Sequence, residues 1–332
     1  MIKAGIIGCG GISRVHAWVL KNMEDITVTA LCDIDIGKAR ALAEEHFDPD
    51  TLTLCSDYRE LFDMDIDVVH ICTPHFLHAP MAVGLLDHKK AVFMEKPCAV
   101  SEEQFEELKK ADAANSGKLG FCFQNRYNEA VIKMEELIAE DRIGQVTGGR
   151  AFVTWRREKD YYDSSDWKGT KEKEGGGVLI NQSIHTLDLL LRFLGEPETV
   201  KATAANHHLD IEVEDTVEAW LEFKDGKRAC FYASNCYSGD APVLLEIQGT
   251  KGRLMMNGSD LMFFPDDGNV ISFNGSGEGY IGKSYWGNGH RDCIRDFYKS
   301  LKEGKRFKND IDSVKNVFNV TMEIYKQTEI GG

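Results

Sequence analysis

Two stretches of this chain hold residues whose types and neighbours could do chemistry. The first is Glu95-Lys96-Pro97, which follows the apolar run Ala91-Val92-Phe93-Met94. A lysine where a buried strand ends can hold a reacting oxygen and stabilise negative charge as it develops. By itself it reads equally well as a solvated turn lysine. The second stretch starts at Gly175-Gly176-Gly177 and carries Asn181, His185 and Asp188 before reaching Gly195. Helical spacing sets those three polar residues at i, i+4 and i+7, one face of an otherwise apolar helix. Such a stripe is costly to bury unless it is paired or functional. Histidine titrates near neutrality and can move a proton; the plain alternative is a core histidine with its hydrogen bonds satisfied.

A third stretch indicates what these groups would work with. Gly8-Cys9-Gly10-Gly11-Ile12-Ser13 lies between the apolar run 4–7 and a helical pattern carried by Val15, Val19 and Leu20. In a strand–turn–helix setting Gly8 permits a tight turn, while Gly10 and Gly11 leave backbone free to approach a pyrophosphate. The helix that opens after Ile12 aims its unpaired N–H groups at that phosphate. Asp33 closes the next β-rich run, 33 − 13 = 20 residues after Ser13, the spacing at which a carboxylate reaches ribose hydroxyls. Ile34 follows it, not a cation for a 2′-phosphate, so NAD is favoured over NADP. Thr73, Pro74, Glu95 and Lys96 end strands at the same edge and complete the expected cofactor-binding set. The competing reading is an ordinary βα turn, with Asp33 capping a helix that begins near Gly37.

The elements that must position these residues alternate along the first third of the chain. Strand-like runs at 26–33, 52–55, 67–72, 90–94 and 119–123 are separated by helical patterns, which predicts a parallel, doubly wound α/β sheet. Ligands of such sheets sit at the carboxyl ends of the strands. After residue 123 the pattern changes. An amphipathic helix at 129–139 precedes β-rich segments from about 144 to 275, among them a hairpin about Asp225-Gly226. That predicts a second, α+β domain with a large, open and mostly antiparallel sheet. The expected domains are therefore 1–123 and 124–332.

Composition narrows the class of function. A net charge of −15 argues against a nucleic-acid surface, and no apolar run approaches transmembrane length. The nine cysteines are scattered without a C-x-x-C pair, which fits reduced thiols in a cytoplasmic protein. Cys72, His75 and His78 have metal-like spacing, but Pro74 divides them and a fourth ligand is missing at a usual interval; no metal is expected. Arg126, Arg156 and Trp167 offer guanidinium and ring surfaces suited to a sugar, an acidic one included.

Taken together, these motifs give the chain a resemblance to the glucose–fructose oxidoreductase, inositol dehydrogenase and rhizopine-catabolism (Gfo/Idh/MocA) family over essentially its whole length. The resemblance implies a Rossmann domain, an open-sheet domain used for dimers or tetramers, and NAD(P)-dependent oxidation or reduction of sugars, sugar acids and cyclitols. It makes Lys96 the lysine at the reacting oxygen and His185 the histidine beside it. Many members carry aspartate four residues before that histidine; this chain has Asn181, which orients but cannot titrate. Asp188, with Arg126, Arg156 and Trp167, is assigned to the substrate; the alternatives are an Asp188 that only ties its helix to a neighbour, surface arginines and a packing tryptophan. Two rivals stand beside the dehydrogenase: a redox-assisted glycosidase that retains its NAD, and a non-catalytic sensor of NAD and sugar.

Overall fold

The computed structural model describes residues 1–274 and 289–328; residue 275 of the expected sheet run and the end of the expected second domain lie outside them. The chain divides into two compact units.

The first unit is built on strands β1 (Ile2–Ile7), β2 (Ile26–Cys32), β3 (Thr53–Cys55), β4 (Val68–Ile71), β5 (Ala91–Met94) and β6 (Leu119–Phe121). They pair in the order β3-β2-β1-β4-β5-β6, all parallel. Every residue of β4 and of β5 is buried, as expected of a parallel sheet. Helices α1 (Ser13–Lys21), α2 (Ile36–His46), α3 (His75–Asp87) and α4 (Glu102–Ala114) connect them. The order reverses between β1 and β4, which opens a crevice at their carboxyl ends. Gly8 leaves β1 with φ +85°, and a Cβ there would lie 2.6 Å from the Cys72 carbonyl oxygen at the end of β4. Only glycine fits this crossing.

The second unit begins with α5 (Glu129–Ala139), β7 (Val146–Thr154), α6 (Lys159–Asp163) and α7 (Lys171–Glu174). A single π-helical turn, Val178–Ser183, then leads into α8 (Ile184–Leu194). Strands β8 (Thr199–Ala205), β9 (Thr216–Glu222), β10 (Arg228–Ser234), β11 (Leu244–Gly249), β12 (Gly252–Asn257), β13 (Asp260–Pro265) and β14 (Ile271–Phe273) follow. With β7 they form one sheet, β14-β13-β12-β11-β7-β10-β9-β8. Its pairs are antiparallel except β7 with β10. The expected hairpin is β9–β10, with Gly226 at φ +81°.

Two long-range features depart from the sequence reading. Helix α9 (Gly289–Lys302) and the chain as far as Val314 belong to the first unit, not to the second. The cause is aromatic packing: Phe297 lies 5.1 Å from Phe93 and 5.4 Å from Phe307, ring centre to ring centre, and Gly120 of β6 leaves room for it. The last helix, α10 (Ile311–Gln327), crosses from one unit's share of the chain to the other's after Val314. The second departure is the π turn, which displaces the regular helix expected from Gly177 onward.

That turn is held from beneath. Glu214 is fully buried and accepts from Gly177 N at 2.8 Å, Leu179 N at 3.0 Å and the Tyr325 hydroxyl at 3.0 Å. Gly177 packs so closely on the Glu214 backbone that a Cβ would run into its carbonyl. Gly177→Ala should therefore cost about 3 kcal/mol or more through forced backbone movement. Thermal unfolding checks this, and an unchanged midpoint would show that the close approach is not needed.

Candidate active site

In the first unit the glycine turn is an open cradle. A Cβ placed on Gly10 or Gly11 would meet no atom within 4 Å. Ile12 takes the N-cap position of α1 without a side-chain cap, and no acid stands in the first turn. The helix therefore presents uncapped N–H groups and the positive end of its dipole. Ser13 is buried and bonds back to the Gly10 carbonyl at 2.7 Å. Asp33 is not a helix cap; Asp35 caps α2. The Asp33 carboxylate instead accepts from Cys9 N at 2.7 Å and Asp35 N at 2.9 Å, which fixes it at the rim of the cradle. Thr73 Oγ1 is buried with no hydrogen-bond partner among the described residues, and Pro74 caps α3. A pyrophosphate, a ribose and a buried hydroxyl in need of a partner match this set, so the residues fit a dinucleotide.

Glu95, expected at the cofactor edge, is buried, and its carboxylate accepts from His16 Nε2 at 3.0 Å. His16 Nδ1 lies 2.8 Å from His70 Nδ1, and His70 Nε2 lies 2.9 Å from the Tyr298 hydroxyl of α9. An ionised Glu95 carboxylate only accepts, so His16 donates from Nε2. With both rings neutral, His16 accepts at Nδ1 and the Tyr298 O–H donates to His70 Nε2; with His16 protonated, its Nδ1 donates to His70, and His70 Nε2 donates to the Tyr298 hydroxyl. Burial opposes the Glu95 charge, yet the His16 hydrogen bond, with His16, His290 and Lys96, holds the carboxyl well below its usual range. Burial pushes His70 well below its ordinary value and His290 down to about 4. Among the described residues His16, Glu95 and Cys122 bring possible ligand atoms within 4.8 Å of one another; the direct His16–Glu95 bond accounts for two of the three without an ion. His75 and Cys72 gain no such company, and both nitrogens of His78 meet backbone carbonyls, of Pro97 and Thr73, at 2.8 Å.

Lys96 follows β5 and is half-buried. In the second unit His185 is half-buried near the start of α8. Asn181 lies within the π turn, where its Nδ2 donates to the buried Glu174 carboxylate and to the Tyr161 hydroxyl, the latter at 3.3 Å. Gln182 donates to the same hydroxyl at 3.1 Å. Burial and then the Glu174 charge push the Tyr161 phenol up to about 12, so it stays protonated. Asp188 and Arg126 leave the expected substrate set: both are buried and pair two-pronged, at 2.8 and 2.5 Å. Arg156 is exposed, bonded to Glu158 and to the Ser238 carbonyl. Trp167 is half-buried, with Lys168 over its ring at 5.9 Å. The sequence reading missed His16, His70, Glu174 and Tyr161. A histidine inside the wholly buried strand Val68–Ile71 was the one available hint, since an imidazole there must find a partner.

Comparison with known proteins points to one family. Residues 2–122 match the model of an oxidoreductase family with an NAD-binding Rossmann fold, and residues 131–255 match the GFO/IDH/MocA C-terminal domain. The chain is 29% identical to an inositol 2-dehydrogenase of Rhizobium meliloti (strain 1021) over 258 residues, 76% of this chain and 74% of that one. It is 28% identical to D-glucoside 3-dehydrogenase of Escherichia coli K12 over 253 residues, 68% of each. The WlbA dehydrogenase of Chromobacterium violaceum, solved with NADH and UDP-GlcNAcA, superposes with a TM-score of 0.86 at 25% identity, covering 99% of this chain and 94% of that one.

The rim acid makes a cofactor prediction. Asp33→Ser with Ile34→Arg removes a repelling carboxylate and supplies a guanidinium for a 2′-phosphate, so preference should move toward NADP by about tenfold or more. Binding titrations of both nucleotides check this; unaltered protein that prefers NADP would remove Asp33 from its assigned place.

Proposed function

The chain belongs to the GFO/IDH/MocA family of NAD-binding oxidoreductases, and from that premise we propose that it oxidises a secondary alcohol of a neutral sugar or cyclitol, or reduces the matching ketone. The observation that carries this is Lys96 at the end of β5, in the unit that holds the open glycine cradle and Asp33. Held by the Gly10–Gly11 cradle and Asp33, NAD would supply the acceptor for a hydride from the carbinol carbon. Lys96 holds the carbinol oxygen and stabilises negative charge on it as the carbonyl forms. His185 takes the hydroxyl proton. Asn181, tied to Glu174 and Tyr161, orients without titrating. The preference for a neutral substrate rests on the arginines: Arg126 is bonded to Asp188, Arg156 to Glu158 and Arg157 to Asp240.

The test is a panel of polyols, sugars and sugar acids with NAD or NADH, followed at the reduced-nicotinamide absorbance. Stoichiometric NADH with a neutral polyol supports the reading. Aglycone release without net NADH points to the glycosidase, and binding without either points to a sensor. Among variants, Lys96→Met keeps the apolar stem and removes the charge, so turnover should collapse while NAD affinity holds. His185→Ala should lose about 10²–10⁴-fold in rate together with the acid limb of the pH–rate profile. Asn181→Ala should lose less than either. Near-normal turnover in Lys96→Met would sink the mechanism.

Assembly and location belong to the same proposal. One face of the large sheet carries Phe152, Glu218, Trp220, Cys230 and Tyr232, with Trp220 43% exposed, and we assign it to contact with a second copy of the chain. The nine cysteines are all unpaired, which supports a reducing, cytoplasmic setting; among the described residues no helix is long and apolar enough to cross a membrane. Trp220→Glu should lower the mass found by light scattering to that of a single chain. A single-chain mass for the unaltered protein would refute the assignment.

A further inference from the structure

Lys96 stands between two residues that are each fastened by a buried histidine. On one side His16 Nε2 donates to the Glu95 carboxylate at 3.0 Å. On the other, His78 Nδ1 meets the Pro97 carbonyl at 2.8 Å. Both histidines are at most 1% exposed, and each comes from a helix that opens at the cofactor edge. His16 lies on α1, whose N-terminus faces the glycine cradle; His78 lies on α3, and its Nε2 also reaches the Thr73 carbonyl at 2.8 Å. A neutral His78 ring donates to one of its two carbonyls at a time, and a cation donates to both. His16 Nδ1 is itself hydrogen-bonded to His70, which in turn reaches the Tyr298 hydroxyl.

We propose that His16 and His78 are positioning residues which clamp the Glu95-Lys96-Pro97 turn and so hold the Lys96 ammonium in place for turnover. The proposal rests on the reading of Lys96 given above. Reactive groups must be kept within a fraction of an ångström of their working geometry, and a lysine on a long stem is only as well placed as the backbone that carries it. The clamp also explains why the three motifs of the first unit are spaced as they are. The helix after the glycine turn, the helix after Thr73-Pro74 and the strand end at Glu95 meet through these two imidazoles.

The experiment compares His16→Leu and His78→Leu with His16→Gln and His78→Gln. A glutamine amide can donate where the imidazole did, and at position 16 its oxygen can accept from His70. The leucine variants should lose about 10- to 100-fold in kcat, with the NAD dissociation constant within about threefold of normal, and the glutamine variants should regain most of the loss. In a Lys96→Met background His16→Leu should cost nothing more, because residues acting through one group are not additive. Labelling of Lys96 by an amine-directed acylating reagent, read by mass spectrometry, gives a measure without turnover; its rate should change in the leucine variants and return in the glutamine ones. Where a leucine variant fails to fold, asparagine, an amide too short to span the gap, takes its place with the same expectations. Unchanged kcat and labelling overturn the clamp, as does a loss of NAD binding in step with kcat. Normal turnover in Lys96→Met alone overturns the role of Lys96, while the labelling still decides the clamp.

Discussion

A carboxylate buried at the end of a parallel strand must be answered by donors, and much of the first unit is arranged around Glu95 for that reason. An uncompensated charge there would cost several kcal/mol, and removing one partner of a buried pair costs about 3–5 kcal/mol. The answer comes from three separate places in the chain: His16 on α1, His70 on β4 and Tyr298 on α9. Each member is hydrogen-bonded to the next, so both ring nitrogens of His16 and of His70 are satisfied. That is how buried polar groups confer order as well as cost. The relay also gives α9 a reason to lie where it does, beyond the tilted packing of Phe297 against Phe93.

The second unit solves a comparable problem with different means. Glu214 is buried beneath the π turn and meets two backbone N–H groups and a phenol. Desolvation wins over those bonds, and its carboxyl is held above the ordinary range. Asp188 is met by Arg126 in a two-pronged pair, a geometry that keeps both charges satisfied out of water. In one unit an imidazole outweighs the burial of the acid, and in the other burial outweighs the bonds the carboxyl accepts. The first arrangement sits beside a proposed charge-bearing lysine; the second supports a turn.

The alternating strands and helices were legible because each is a local pattern. Periodicity located β1 to β6, and the Asp225-Gly226 turn located its hairpin. Glycine chemistry marked the cradle that Gly10 and Gly11 leave open. What escaped was partnership. Glu95 and Asp33 both close strands at one sheet edge, yet one turns into the interior and the other to the rim, and nothing local distinguishes them. The three-residue polar stripe assumed regular α-helical spacing; the π turn breaks it, so Asn181 and Asp188 serve different neighbours. Arg126 and Asp188 are 62 positions apart, and neither sequence context announces the other. The placement of α9 depends on aromatic contacts with β5, more than two hundred positions earlier in the chain (297 − 93 = 204).

Asn181 is the departure that the structure makes intelligible. Position 181 faces Glu174, a fully buried acid whose carboxylate also accepts from Gly169 N. An aspartate at 181 would set two carboxylates against each other in a buried place, and one of them would have to take up a proton. Asparagine instead gives Glu174 a donor and shares the same amide with the Tyr161 hydroxyl. Glu174 of α7 thus sets a carboxylate against position 181, and its contact with the π turn runs through an amide. An amide transmits orientation but not a proton. In the proposed mechanism proton transfer in this unit falls to His185, with Tyr161 kept as a neutral hydroxyl by its burial.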